Sequence, residues 1–193
     1  GKDGARPLSG AQSVTIDAGS VFDIQLAGVS AGTYGVQVTS STPVGAAVRM
    51  VRSGAEYPQR SKALIHDQAW AQAGLPGAAD SGLLAVPRGS SLSSAVTVAN
   101  SGATTSVTLS SLDGSWSQDV KVAKGGSVVV EVPAKVAAVR LSTGNQESSS
   151  GTSRTSSGLA AATIVTAQAG GDMDGTLIST VPAQPDATVQ AQR

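Results

Sequence analysis

The sequence predicts an all-β chain built as two related antiparallel β-sandwich-like units in tandem, and three observations predict it. Apolar residues recur at every second position, as in Val96 and Val98, Val107 and Leu109, and Val128, Val130 and Val132. That is the spacing of a strand with one buried face. The alternating stretches are broken by Asn100-Ser101-Gly102, Asp113-Gly114 and Gly125-Gly126, residue types that tolerate the backbone angles of tight turns. The chain also repeats itself: residues 14–26 lie over 120–132 without a gap. Val14 then meets Val120, Ile16 meets Val122, Gly19 meets Gly125, and Phe22, Ile24 and Leu26 meet Val128, Val130 and Val132. Further on, Tyr34-Gly35-Val36-Gln37-Val38 parallels Ala137-Ala138-Val139-Arg140-Leu141, and the copies close on Val86-Pro87 and Val181-Pro182. A tandem β-unit specifies an architecture and leaves the ligand open.

The first unit is placed at 1–87, with strands at 13–17, 21–26, 33–40, 44–51 and 83–86. An insertion at 52–82 holds Tyr57, His66, Asp67 and Trp70. A short helix over 61–71 would put Leu64, Ile65 and Ala69 on one face, but the Gly- and Pro-rich flanks favour irregular structure with one strand. Asp3-Gly4 matches Asp113-Gly114, which in the second copy stands between two strands. The first unit is therefore expected to be N-terminally incomplete, its upstream strands belonging to a longer parent.

The second unit is placed at 88–182. Strands at 94–99, 105–112, 118–122 and 127–132 follow one another through short turns and read as a meander. A strand at 136–141 comes next, then a Ser-, Thr- and Gly-rich stretch at 142–158 with too little apolar surface to fold alone. Closing strands are expected at 160–166 and 176–181, and residues 183–193 are expected to be a flexible tail.

Composition narrows the function. Among 193 residues, 13 Lys and Arg balance 13 Asp and Glu, and the charged share of 13% is half the about 25% usual in soluble proteins. No electrostatic case for nucleic acid or an acidic membrane follows. Aromatics are 3% of the chain, a scarcity that weakens both base stacking and sugar stacking, and cysteine is absent, which excludes disulfides and thiolate metal sites. No signal peptide, lipidation motif or transmembrane run is visible.

Three stretches carry a family likeness: Thr42-Pro43-Val44-Gly45-Ala46-Ala47-Val48, Asp67-Gln68-Ala69-Trp70, and Val96-Thr97-Val98-Ala99-Asn100-Ser101-Gly102-Ala103. With the low aromatic content and the Val-Pro closures, the chain resembles the β-repeat region of actinobacterial large secreted proteins of unknown function. The resemblance covers most of 13–182, although the second half has no Asp-x-Ala-Trp equivalent. It implies a secreted or cell-envelope β-repeat protein and brings no activity with it.

Few residues suggest chemistry. His66 is the only histidine and Asp67 adjoins it, but neighbours in a strand face opposite ways and no nucleophile-elbow motif accompanies them. A surface histidine is the simpler reading, and one histidine argues against a zinc enzyme. Asp172 and Asp174, in Gly171-Asp172-Met173-Asp174-Gly175, are a weak calcium candidate, since the segment lacks the oxygen count of a calcium loop; a hairpin turn is the simpler reading. Lys121, Lys124 and Lys135 with Asn100 and Glu131 supply the residue types of an isopeptide bond, but at polar strand and turn positions. Trp70 and Trp116 are the candidate ligand-binding residues, weighed against each capping its own core. The expected function is a non-catalytic structural or interaction module. It would need no cofactor and would present the 52–82 and 142–158 stretches to a protein or glycan at the cell surface. The alternative is a carbohydrate or cell-wall-binding module, favoured if either indole is exposed beside Asp, Gln or Arg; a cryptic hydrolase would need His66 and a carboxylate converging in a pocket.

Overall fold

The computed structural model describes residues 1, 4–7, 13–26, 28–30, 32–55, 64–73, 82–90, 92–143, 158–168, 176–182 and 184–185. Regular structure among them is all β, as the alternation predicts. The strands are β1 (Ala47–Ala55), β2 (Leu64–Gln72), β3 (Gly82–Ala85), β4 (Leu92–Asn100), β5 (Thr105–Ser111), β6 (Ser117–Val122), β7 (Ser127–Glu131), β8 (Ala138–Thr143), β9 (Leu159–Gln168), β10 (Thr176–Pro182) and β11 (Gln184–Pro185). All pair antiparallel. β1 and β2 make a two-stranded sheet; a four-stranded sheet runs β10-β9-β4-β7, and a five-stranded sheet runs β11-β3-β8-β5-β6.

The two larger sheets share one core. Val96 and Val98 of β4, Val130 of β7 and Leu159 of β9 cluster with Leu84 of β3, Val107 and Leu109 of β5, Val122 of β6 and Val139 and Leu141 of β8. Alternation produces this directly: in β5, Val107 and Leu109 are fully buried while Thr108 between them and Ser110 after them are only partly so. Each such side chain contributes about 1.5–3 kcal/mol of burial, and two sheets covering each other's apolar faces is the sandwich solution.

Polar side chains tie the sheets at their margins. The Thr163 hydroxyl of β9 donates to the Ala85 carbonyl of β3 at 2.8 Å, crossing from one sheet to the other. Ser94 Oγ donates to the Pro87 carbonyl at 2.7 Å. Arg88, just after β3, clamps the β7–β8 link: Nε donates to Val136 O at 2.8 Å, and Nη2 to Pro133 O at 2.8 Å and Val132 O at 3.1 Å. At one end of the sandwich, Asn100 Nδ2 donates to Ala103 O at 2.7 Å and Val122 O at 3.1 Å, and Asn100 Oδ1 accepts from Gly102 N at 2.9 Å.

Three expectations change. The meander does not form: β4 and β5 lie in different sheets, as do β6 and β7, so of these four strands only β5 and β6 make a hairpin. Alternation says which residues face the core but is blind to which sheet the next strand joins, and the buried Asn100 amide makes its turn a link between sheets. The strands expected at 13–17, 21–26 and 33–40 carry no ladder among the described residues: alternation reports a side-chain pattern, and a ladder needs a neighbouring strand in register besides. A second sandwich is accordingly not formed by the described residues of the first half. Gln184 and Pro185, in the expected tail, instead pair with Leu83 and Gly82, since β3 has an open edge there. Among the described residues of the 52–82 insertion, β1 runs on to Ala55 and β2 follows, with no helix. Most of the 142–158 stretch, at 144–157, lies outside the described residues.

Two substitutions test this frame. Asn100→Ala leaves buried carbonyls unpaired and is expected to lower unfolding free energy by about 1–3 kcal/mol in urea titration. Gly158 has φ 74°, and a Cβ there would sit 2.6 Å from the Gly102 nitrogen. Gly158→Ala is therefore expected to cost more than the about 1–2 kcal/mol of left-handed backbone alone, read in the same titration.

Candidate functional site

The β1–β2 hairpin carries the most developed surface feature among the described residues. Its register sets Ala47 opposite Gln72, Arg49 opposite Trp70 and Val51 opposite Gln68. Strand periodicity places these six on one face, and all six are exposed. The intervening row turns inward, with Ala69 buried and Val48, Met50 and Ala71 half-buried. Small and aliphatic residues on that row let the hairpin pack, while its second strand runs close to β10. The outer face is thereby left to Trp70.

Trp70 is 57% exposed, a large share for an indole, which ordinarily buries most of its area. The Arg49 guanidinium carbon stands 5.8 Å from the centroid of its ring, within the about 6 Å reach of a cation–π contact. Gln68 and Gln72 flank it on the same strand and face. An aromatic surface, a five-donor guanidinium and two carboxamides able to donate and accept therefore meet on one flat sheet face. Such a surface can stack the apolar face of a pyranose ring while bonding its hydroxyls.

Trp116 is placed differently. It immediately precedes β6, is half-buried and packs against the central core cluster. Its backbone is held on both sides by Ser111: the Trp116 N–H donates to Ser111 Oγ at 2.9 Å, and the Ser111 N–H donates to Trp116 O at 2.8 Å. The two indoles lie on different sheets and do not form a joint platform. Sequence singled out Trp70 by residue type, but Arg49 was passed over, because only the cross-strand register brings it to the ring.

The β5–β6 turn holds an acid, Asp113, that is kept ionised by its neighbours. Asp113 Oδ1 accepts from the Ser115 N–H at 3.0 Å and from Ser115 Oγ at 2.8 Å. Hydrogen bonding from Ser111 first, and then from Ser115, holds its carboxyl down at about 2 from the ordinary 3.8. Beside it lies a shallow cavity of about 240 Å³ lined by Ser111, Leu112, Asp113, Lys135, Val136, Ala137 and Ala138, smaller than the roughly 300 Å³ at which ligand pockets begin. The arrangement is a locked turn.

For the other candidates the structure says less. His66 and Asp67 stand on β2 opposite Ser53 and Arg52 in register, with only their backbone described. Asp172 and Asp174 lie outside the described residues. Among the described residues, no group of three His, Asp or Glu could hold a metal ion, and no helix is long and apolar enough to cross a membrane. Asn100 is buried and fully engaged, while Lys121, Lys124, Lys135 and Glu131 are exposed.

Compared with protein-family models, residues 1–133 match one described as a family of unknown function, DUF5719. No curated protein and no solved structure gives a significant match.

The turn yields a titration prediction. Asp113 should lose its proton near pH 2 by carboxyl NMR. Because its folded pKa is depressed, its contribution to stability is complete above pH 3.8 and is lost as the pH falls from there through about 2. Ser115→Ala should move the titration upward.

Proposed function

The chain belongs to DUF5719, the family of unknown function whose model spans residues 1–133, and from that footing we propose that it works by binding rather than by catalysis. In this reading it is an interaction module of a larger secreted or envelope-associated β-repeat protein, and its partner is a surface glycan taken up on the outer face of β1–β2. The observation that carries the reading is the Trp70 face: an indole 57% exposed, with Arg49 at its ring and Gln68 and Gln72 alongside. An exposed indole in this setting is an unusual use of the residue. Left to folding alone, a chain with two Trp among 193 residues gains most by burying both.

The likeness to secreted β-repeat proteins supports the same setting. Catalysis has little to build on: the sole histidine stands on the same hairpin as Trp70, and the described cavity beside Asp113 is small and shallow. A flat face with one aromatic and three long polar side chains suits a weak contact, one that gains strength when several modules engage a polymer together.

Intrinsic fluorescence separates the two indoles. Iodide should quench Trp70 strongly and Trp116 weakly, measured in Trp116→Phe and Trp70→Phe chains respectively. Titration with peptidoglycan fragments and a panel of soluble glycans should then shift the Trp70 emission. Trp70→Ala should weaken binding at least about tenfold, or about 1.4 kcal/mol, and Arg49→Ala several-fold, with Trp116→Phe unchanged. A Trp70 signal that no glycan alters would overturn the glycan reading.

A further inference from the structure

The outer face of β1–β2 carries a charge as well as an aromatic ring. Of the six exposed residues that share it, Ala47, Arg49, Val51, Gln68, Trp70 and Gln72, Arg49 alone is ionic. The acid of the hairpin, Asp67, stands opposite Arg52 in register, one step out of the Trp70 row. Alternation assigns that pair to the row of Ala69. A ligand laid along the six meets one positive charge and no negative one.

Arg49 is also held in a particular way. Its guanidinium carbon lies over the Trp70 ring, 5.8 Å from the centroid. A guanidinium stacks on an aromatic ring through its flat face, whereas its five N–H groups point outward in its own plane. The contact with the indole therefore leaves the donor fork at the edge of the group and restricts where that edge can be. Part of the rotamer freedom that a long side chain loses on binding is given up beforehand.

Such a fork fits an oxyanion. A carboxylate or phosphate accepts two parallel N–H bonds from it at about 2.7–2.9 Å, while a sugar hydroxyl brings no opposite charge and no second oxygen in the same plane. The register decides how far apart ring and oxyanion can be. Arg49 and Trp70 are directly opposite, and the Cβ atoms of such pairs are about 4.5–5.5 Å apart. One pyranose bridges that distance. Gln68 and Gln72 stand two residues to either side of Trp70 on β2, at about 3.4 Å of strand per residue, where they serve hydroxyls of the same sugar and of its neighbours.

We infer that the ligand of this face is an acidic glycan: a pyranose bearing an exocyclic oxyanion, carboxylate or phosphate, with its apolar face on Trp70 and the oxyanion in the fork of Arg49. The inference rests on the glycan reading above and adds the chemical class of the sugar. Trp70 supplies area and is indifferent to charge; Arg49 makes the selection.

The test uses the Trp116→Phe chain, in which Trp70 is the remaining indole of the two. Its fluorescence is titrated with trigalacturonate and its full methyl ester, and with mannotriose and its 6-phosphate. At least one acid should bind about tenfold or more tighter than its neutral partner, and which one does so distinguishes carboxylate from phosphate. Most of that margin should vanish in about 0.5 M sodium chloride, because both groups are at the surface. Arg49→Gln should bring the acid down to the affinity of its neutral partner. Arg49→Lys keeps the charge without the fork and should lose several-fold of the margin; it decides the matter if Arg49→Gln does not fold. Acid and neutral forms bound alike overturn the inference and leave the glycan reading standing. An acid preference untouched by either substitution also overturns it, since the selection then lies away from Arg49. No response to any of the four sugars or to the wider glycan panel removes the glycan reading, and this inference with it.

Discussion

The fold hangs on the Asn100 carboxamide. By donating to Ala103 and Val122 and accepting from Gly102, it fixes the chain at the point where β4 leaves one sheet and β5 enters the other. Its neighbours extend the joint: the Asn100 N–H donates to Gly126 O in the β6–β7 turn, and both the N–H and the hydroxyl of Ser101 donate to Gly158 O at the start of β9. Three passages of the chain are thereby gathered at one end of the sandwich. A buried carboxamide costs little when every one of its partners is present and a good deal when one is lost, which makes this corner a single cooperative element.

Much of this was legible beforehand, and the failures share a cause. Period-two alternation announced β4 to β10 because a half-buried strand must show it, whichever sheet it joins. The same signal could not tell a hairpin from a passage between sheets, so Asn100-Ser101-Gly102 read as a hairpin loop. Alternation also marked 13–17, 21–26 and 33–40, correctly as to pattern, but a strand exists only beside another strand, and that is a fact about neighbours. Trp70 was visible by type, whereas its partner Arg49 emerged only when β1 and β2 fell into register.

The N-terminal residues have a structural part of their own. Gly1 O accepts from the Ser127 N–H at 3.2 Å, occupying a main-chain donor at the start of β7, the outermost strand on that side of its sheet. Ala5 crowds Gly125 so closely that a Cβ there would stand 2.8 Å from the Ala5 Cβ. Farther along, a Cβ at Gly35 would come within 2.5 Å of the Ala99 Cβ on β4. Glycine at these places lets one stretch of backbone lie against another, and the Gly1 bond takes up a donor on an outermost strand that would otherwise invite association.

The polar residues buried in the sandwich are Ser94, Thr97, Asn100, Ser111, Ser127, Thr143 and Thr163. All are hydroxyls or a carboxamide, groups that neither gain nor lose a proton in water. The described interior thus holds no acid or base whose charging could unlock it, and acidity reaches the fold only through its surface. The cross-sheet fastenings from Thr163 to Ala85 and from Asn100 to Val122 are made by a hydroxyl and a carboxamide, so they hold without a proton being gained or lost.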